Sequence, residues 1–303
     1  MSMSTPRFKL PIVSHVFLSL FVVGLLGGCG EKVVTIPGSI DFAPVPSRAP
    51  ITPGLIDEAS GLADSRSMDG HVWVNEDSGT PAQLNLLSHE GKLSGRLALP
   101  GITNRDWEDM AAGPGPQPGV TYLYLADIGD NLARNDQNVI YRLVEPKSLT
   151  ETVGSTDRIA FRYSDGPRDA ETLLLDPLTR DLWIVSKENS TTRLYQLPYP
   201  QSTTTVNTAV YQGELPLTLV TSGSISPDGK EVLLKTYTGI YYWPRFTGQT
   251  VAEALVGKQS YSLTYQLEPQ GEGICFDKAG NGFFTLSERG NAASVTLNYY
   301  KHQ

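Results

Sequence analysis

The feature of this sequence that most constrains its fold is a repeat of about 50 residues. An acidic residue opens a short apolar segment at Glu58, Glu108, Glu171 and Glu272, and the segment 222–229 has the same form without the acid. After each opening comes a turn, and then a second apolar segment that ends on charge. A four-stranded unit that recurs at this period is typical of one blade of a β-propeller.

The repeat therefore predicts an all-β chain that folds into a single β-propeller of four-stranded blades. Five openings favour five blades; six is the alternative, because the 63-residue step from Glu108 to Glu171 could hide a degenerate blade. The last unit has only three strands, so we expect a strand near residues 38–43 to complete it and close the ring. A β-sandwich would not explain the repeated acid.

The N-terminus has the pattern of an export signal. Arg7 and Lys9 precede an apolar run that ends on Leu26-Gly27-Gly28-Cys29. A basic start, an apolar core and small residues before the cut predict a secretory signal over residues 1–28. An uncleaved membrane helix is the alternative, but a span needs about 20 apolar residues. Residues 29–53 contain five prolines and are predicted to be a tether, which leaves residues 54–303 for the propeller domain.

The Leu-Gly-Gly-Cys ending resembles the lipobox of bacterial lipoproteins. This resemblance implies that Cys29 is lipidated, becomes the first mature residue and anchors the protein to a membrane of the bacterial cell envelope. Gly30 stands where lipoproteins of the inner membrane usually carry aspartate, so the resemblance favours the outer membrane.

The charge of the chain argues against nucleic acid as a partner. Removal of residues 1–28 takes away Arg7 and Lys9 but no acidic residue, so the net charge of −8 becomes −10. Nucleic-acid phosphates require lysine and arginine. An acidic surface is compatible with solubility alone or with a carboxylate-rich site.

Carboxylates are predicted to converge at one mouth of the central channel, because the first strand of each propeller blade lines that channel. Oxygen ligands suit a hard cation, calcium above all, whereas His71, His89 and His302 lack the clustered spacing of a zinc site. The alternative is that each acid only bonds backbone amides of the next blade. The predicted metal ligands are Glu58, Asp77, Glu108, Asp127, Asp130, Asn131, Glu171, Glu188, Glu272 and Glu288.

Two polar segments contain the candidate catalytic and substrate-binding residues. The segment 104–110 contains Glu108 and Asp109 as predicted general bases, with Arg105 and Trp107 as predicted substrate contacts. The segment 127–135 offers side-chain oxygens along a glycine-containing turn, as a calcium loop does, with Arg134 as a further substrate contact. The alternatives are a core position for Trp107 and an aspartate-rich turn in which Arg134 forms a salt bridge.

The motifs Glu272-Gly-Ile-x-x-Asp277, Ser287-Glu288 and Asp106-Trp-Glu-Asp-Met-Ala111 resemble those of esterase-like phytase propellers and, more loosely, of gluconolactonase and strictosidine synthase-like propellers. The resemblance implies a calcium ion at the channel mouth, held by Glu58, Glu108, Glu171 or Glu272. It also implies hydrolysis of an ester, lactone or phosphoester in some relatives. Our function hypothesis is an envelope-anchored propeller that binds a small molecule, a glycan or an envelope protein; the alternative is a calcium-dependent hydrolase.

Overall fold

A computed structural model describes residues 42–151 and 153–303, so the predicted signal peptide and Cys29 lie outside the described residues. The described chain consists of β-strands and one short helix. In chain order these are β1 (Ser47–Pro50), β2 (Ala59–Asp64), β3 (His71–Glu76), β4 (Gln83–Ser88), β5 (Leu93–Ala98), β6 (Trp107–Pro114), β7 (Thr121–Asp127), β8 (Asn138–Val144), β9 (Asp157–Tyr163), β10 (Ala170–Leu175), β11 (Leu182–Ser186), β12 (Thr192–Leu197), β13 (Asn207–Leu215), β14 (Val220–Ile225), β15 (Glu231–Thr236), β16 (Gly239–Pro244), α1 (Val251–Leu255), β17 (Tyr261–Ser262), β18 (Gln270–Phe276), β19 (Gly282–Glu288) and β20 (Thr296–Lys301).

The strands form five four-stranded blades. Blade 1 is β2–β5, blade 2 is β6–β9, blade 3 is β10–β13, blade 4 is β14–β17, and blade 5 joins β18–β20 to β1. The innermost strands β2, β6, β10, β14 and β18 contact one another in a closed ring. The prediction of an all-β propeller is therefore confirmed, and its blade number is five.

The long step between Glu108 and Glu171 comes from two connections and not from a sixth blade. Residues 128–137 join β7 to β8, and the connection from β8 to β9 begins at residue 145. The outermost strands of blades 2 and 3 also pair in parallel, with Asn207 opposite Phe161, so that the two blades share one eight-stranded sheet.

Apolar side chains fill each of the five interfaces between neighbouring blades. Along β3, Val72 and Val74 pack against blade 5, whereas Trp73 points to the opposite face and packs against blade 2. Successive residues of a strand alternate between faces, and both faces of a blade are covered. This is why the second strand of each blade is a continuous run of strong β-formers instead of an alternating pattern.

The N-terminal segment closes the ring, but later in the chain than we predicted. β1 pairs with β20, with Ser47 opposite Tyr299, and an isolated bridge joins Phe42 to His302. The sheet therefore begins inside the predicted tether, before residue 54. Pro50 fits there because β1 is an edge strand with one neighbour, where a missing N–H costs no ladder hydrogen bond. Among the residues described, no helix has the length and apolarity of a membrane span.

Candidate functional site

The repeated acid of the sequence coincides with a repeated β-bulge. In blades 2, 3 and 5 the ladder between the first two strands skips one residue, and that residue is Glu108, Glu171 or Glu272. In blade 4 the skipped residue is Thr221, which agrees with the loss of the acid there. A bulge bends its strand and re-aims a side chain. The bulges therefore bring three glutamates to one end of the channel.

Blade 1 departs from the predicted alignment. Its ladder shifts between Ala59 and Leu62, so Ser60 occupies the place of the bulge glutamates, and Glu58 lies two residues earlier with an exposed side chain. In blade 2 the residue two places before the bulge is Asp106, which lies beside Glu108. Asp106 was not among the ligands predicted from the sequence.

A second ring of side chains comes from the second strand of each blade. In each case it is the residue directly after the one that pairs with the residue preceding the bulge. Its members are Asp77, Ile128, Lys187, Tyr237 and Glu288. We refer to the channel end lined by Asp77, Asp106, Glu108, Glu171, Lys187, Tyr237, Glu272 and Glu288 as the acidic mouth.

Three carboxylates of the acidic mouth come close enough to share a cation. One oxygen each of Asp77, Asp106 and Glu108 lies within 4.8 Å of the other two. The Glu108 side chain is only 6% exposed, and within residues 42–151 and 153–303 no donor bonds to its carboxylate. Burial raises the pKa of Glu108 well above its usual range, and the charges of Glu171, Asp77 and Asp106 raise it further.

Lys187 neutralises the other side of the acidic mouth. Its ammonium forms an ion pair with Glu171 and donates a hydrogen bond to Tyr237 Oη at 2.8 Å. Burial acts to lower the pKa of Lys187, but the Glu171 carboxylate outweighs it and holds the pKa above its ordinary value. This lysine, which our sequence interpretation did not include among the site residues, is therefore charged at neutral pH.

Two further glutamates complete the acidic mouth on the blade 5 side. Burial raises the pKa of Glu272 to about 7, against the opposing effect of Lys187. Burial also raises the pKa of Glu288 to about 8, and the charges of Glu272, Glu58 and Asp77 add to the effect. The Gln270 amide donates to both carboxylates, so the two side chains share one donor group. These groups can take up or release a proton near neutral pH.

Asp109 lies one layer below the acidic mouth and is fully buried. One oxygen accepts from Met110 N–H at 2.9 Å and Ser222 Oγ at 3.1 Å; the other accepts from Leu173 N–H at 3.0 Å and Gly223 N–H at 3.4 Å. Burial raises the pKa of Asp109 to about 8, although these four donors favour its charged form. The carboxylate predicted as a general base thus bridges β6, β10 and β14 across the channel.

The predicted substrate contacts of segment 104–110 do not face the acidic mouth. Trp107 is fully buried in the interface between blades 1 and 2, so its ring is not available for stacking on a ligand. Arg105 forms an ion pair with Asp127 at 3.0 Å and also bonds Asn138 Oδ1 at 3.0 Å. Asp127, a predicted metal ligand, therefore serves as the partner of Arg105 and of the Asp106 backbone N–H.

The predicted calcium loop is satisfied by local hydrogen bonds. Asp130 accepts from the backbone N–H of Asn135 at 2.7 Å, and the side chains of Asn131 and Arg134 are exposed. Glu188 likewise points away from the acidic mouth, because it accepts from Ser186 Oγ and pairs with Arg168. An aspartate-rich turn therefore describes residues 127–135 better than a calcium loop does. The salt bridge expected for Arg134 in that alternative is not found among the residues described.

No protein-family model matches this chain, and no curated protein matches it. Solved structures with a similar course of the chain include an auxiliary nutrient binding protein of Bacteroides thetaiotaomicron, at 9% identity and a TM-score of 0.49 over 86% of this chain and 73% of the other. A gluconolactonase of Xanthomonas campestris matches at 11% identity and a TM-score of 0.43, over 87% and 98%. A Dos1 propeller matches at 12% identity and a TM-score of 0.37, over 80% and 68%. The β-propeller architecture of this chain rests on its own five four-stranded blades and their closed ring of innermost strands.

Proposed function

We propose that the acidic mouth binds a divalent cation, calcium by preference, and that the cation anchors an oxygen-rich ligand. The observation that carries this proposal is the convergence of Asp77 and Asp106 on the Glu108 carboxylate, to which no group of the described residues donates a hydrogen bond. Like charges 4 Å apart repel by about 4 kcal/mol at an effective dielectric of 20, so such a group needs a proton or a cation.

The donor set favours calcium over other metals. The three side chains offer only carboxylate oxygens, the ligands that hard cations prefer. Magnesium demands a near-ideal octahedron, whereas calcium accepts irregular arrangements of six to eight oxygens, including water and ligand oxygens. Lys187 and Tyr237 face the cation site from across the acidic mouth, and both can donate hydrogen bonds. A ligand bridging the two sides would have at least two oxygen acceptors, as sugars and sugar acids do.

The test is calcium binding by isothermal titration calorimetry to the chain from Glu31 onward. Glu108→Gln keeps the shape of the side chain but removes its charge, and we expect it to weaken calcium binding at least a hundredfold, about 2.7 kcal/mol. Glu188→Gln is the matched control, since Glu188 lies outside the acidic mouth. Wild-type protein that takes up no calcium, or equal losses in both variants, would refute the proposed site.

Gly129 provides a second test that changes no charge. A Cβ atom at this position would overlap Glu108 Oε1 and Asp106 Oδ2. Gly129→Ala is therefore expected to push the two carboxylates apart and weaken calcium binding about tenfold. Gly154→Ala is the control, because no atom lies within 4 Å of its added Cβ. Unchanged affinity in Gly129→Ala would argue against a site formed by these carboxylates.

A calcium-dependent hydrolase is the second candidate, and the Glu272 carboxyl favours it. A general base works best when its pKa lies near the working pH, and the pKa of Glu272 is raised to about 7. When bound, the cation would polarise an ester, lactone or phosphoester oxygen. Glu272 fits the role of base better than Glu108, which would hold the cation, or Asp109, which is fully bonded. A screen of these substrates should find an activity that Glu272→Gln abolishes and Glu188→Gln retains; turnover that survives Glu272→Gln would exclude this role.

We also propose that the protein is lipidated on Cys29, on the basis of the Leu-Gly-Gly-Cys ending, and anchored in the bacterial outer membrane, on the basis of Gly30. Cys29→Ser is expected to move essentially all of the protein from the membrane fraction to the soluble fraction, because an acyl chain contributes about 0.8 kcal/mol per buried methylene. Immunoblots of fractionated cells measure the distribution. A Cys29→Ser protein that stays with the membranes would contradict lipidation at this residue.

A further inference from the structure

The channel end opposite the acidic mouth contains a separate pocket of about 280 Å³. It lies where β6, β10 and β14 end, beyond the buried layer of Asp109 and a small cavity of about 30 Å³. Apolar side chains, among them Pro114, Val120, Leu175, Ile225 and Pro227, form about half of its wall, and polar groups form the rest. The side chain of Arg66 lines both the pocket and the small cavity, and so stands at the boundary between them.

The Arg66 guanidinium bonds only backbone carbonyls. Nη1 donates to Lys278 O at 3.1 Å and Nη2 to Ala112 O at 3.5 Å, whereas Nε is buried with no partner in the described part of the chain. Burial lowers the pKa of Arg66, and the nearby charges of Asp64 and Glu145 oppose this effect. No carboxylate of the described residues forms an ion pair with the guanidinium.

Two of the carboxylates near Arg66 are held by other donors. Glu145 accepts from the Ser65 hydroxyl at 2.7 Å, from Trp73 Nε1 at 3.1 Å and from the backbone N–H of Arg66 itself. Asp64 accepts from the Lys278 backbone N–H at 2.7 Å and contacts His89 at 2.8 Å. A buried charge without an ion pair is costly, and arginine binds carboxylates through charge-assisted hydrogen bonds. An anion in the pocket would pair with the guanidinium through the N–H groups of Nη1 and Nη2 that the two carbonyls leave free, since Nε is buried.

We propose that this pocket binds a small carboxylic acid with an apolar body, its carboxylate on Arg66 and its carbon chain against the proline and aliphatic wall. A volume of about 280 Å³ is at the lower end for ligand pockets, so the ligand is small. Inorganic phosphate fits less well, because the pocket offers one cationic side chain and the apolar half of its wall would face oxygens of a phosphate ion. This site is independent of the acidic mouth, which the Asp109 layer separates from it.

Saturation-transfer NMR with sodium butyrate tests the proposal, with butyramide as the neutral probe of the same shape. We expect transfer to butyrate at least tenfold stronger than to butyramide, and its loss in Arg66→Gln. Val120→Trp fills the pocket while it keeps Arg66, so it should abolish transfer as well and serves if Arg66→Gln fails to fold. Arg158→Gln, at an exposed position of strand β9, should retain the wild-type signal.

Each alternative result would overturn the assignment in a different way. Equal transfer to butyrate and butyramide would mean that the apolar wall binds both molecules and that the Arg66 guanidinium does not contribute. Transfer that persists in Val120→Trp would place butyrate elsewhere. Inorganic phosphate that displaces butyrate at equal concentration would make the pocket a general anion site and refute its preference for an apolar body.

Discussion

Replacement of Asp109 by alanine is expected to lower the free energy of unfolding by about 3 kcal/mol or more, because buried donors without partners cost about 1–3 kcal/mol each. Alanine would leave the N–H groups of Leu173 and Gly223 and the Ser222 hydroxyl without their acceptor. The carboxylate also joins blades 2, 3 and 4 at the centre of the propeller.

Urea unfolding of both forms measures this effect, and Asp136→Ala is the control at an exposed loop position. Asp109→Asn should fall between wild type and alanine. Its amide keeps one accepting oxygen, but its NH2 group must face N–H donors on the other side. A loss below about 1 kcal/mol in Asp109→Ala would show that the hydrogen bonds across the channel contribute little to stability.

In the absence of divalent cations, the protein is expected to lose about 3 kcal/mol of stability as the pH rises from 5 to 8. The pKa of Glu272 is raised to about 7 and that of Glu288 to about 8, above the ordinary value of 4.5. In this window the folded state holds protons that the unfolded state has released, so stability falls with increasing pH. One unit of pKa corresponds to 1.36 kcal/mol. The expected loss of about 3 kcal/mol is smaller than the full sum of the two pKa shifts, because solvent at the acidic mouth screens the charges.

Lys187 does not reverse this slope. Its raised pKa contributes stability that is fully present throughout the window and is lost only at alkaline pH. Asp109 adds to the slope with the same sign. Thermal unfolding between pH 5 and 8 should therefore show a smaller slope in the Glu272→Gln, Glu288→Gln double variant. Calcium should also flatten the slope, because the cation replaces the protons. Stability that rises with pH in the cation-free protein would contradict a mouth of buried carboxylates.

The repeat was sufficient to predict the fold because blade interiors leave a strong pattern in the sequence. Both faces of each second strand are buried, so runs such as Val72-Trp73-Val74 identify the blades and their number. The closing strand was harder to locate, since its prolines are more typical of a tether. An edge strand with one neighbour tolerates them, and the pairing of Ser47 with Tyr299 was not visible from local propensity.

The candidate site was predicted in part, and its errors have physical causes. The side chains of the bulge residues meet at the acidic mouth. The position of a bulge depends on the register of the ladder, which the repeated acid indicates only indirectly. In blade 1 the match of Ser60-Gly61-Leu62 with Glu272-Gly273-Ile274 was the better guide, and it would have moved the alignment away from Glu58. Lys187 occupies the place of Asp77 in its blade, and the same alignment would have found it. Oxygens of the loop 127–135 bond local amides and Arg105, which composition alone could not reveal.

The acidic mouth and the pocket lined by Arg66, which we call the Arg66 pocket, lie at opposite ends of one channel. Carboxylates predominate at the acidic mouth, whereas the Arg66 pocket contains a guanidinium. The bulge glutamates come at the start of the innermost strands, and the Arg66 pocket lies where these strands end. Between them, Asp109 and its partners fill the channel. The two proposed sites, one for a cation and one for an anion, therefore do not share residues.

The most direct test of the central claim is the anomalous scattering of crystals grown in calcium and recorded at long wavelength. We predict one peak in the acidic mouth, about 2.3–2.6 Å from carboxylate oxygens of Asp77, Asp106 and Glu108. Crystals of Glu108→Gln should lack it. An acidic mouth without anomalous density at saturating calcium would contradict the account. So would a peak beside Lys187 and Glu171 that lies out of reach of these three carboxylates.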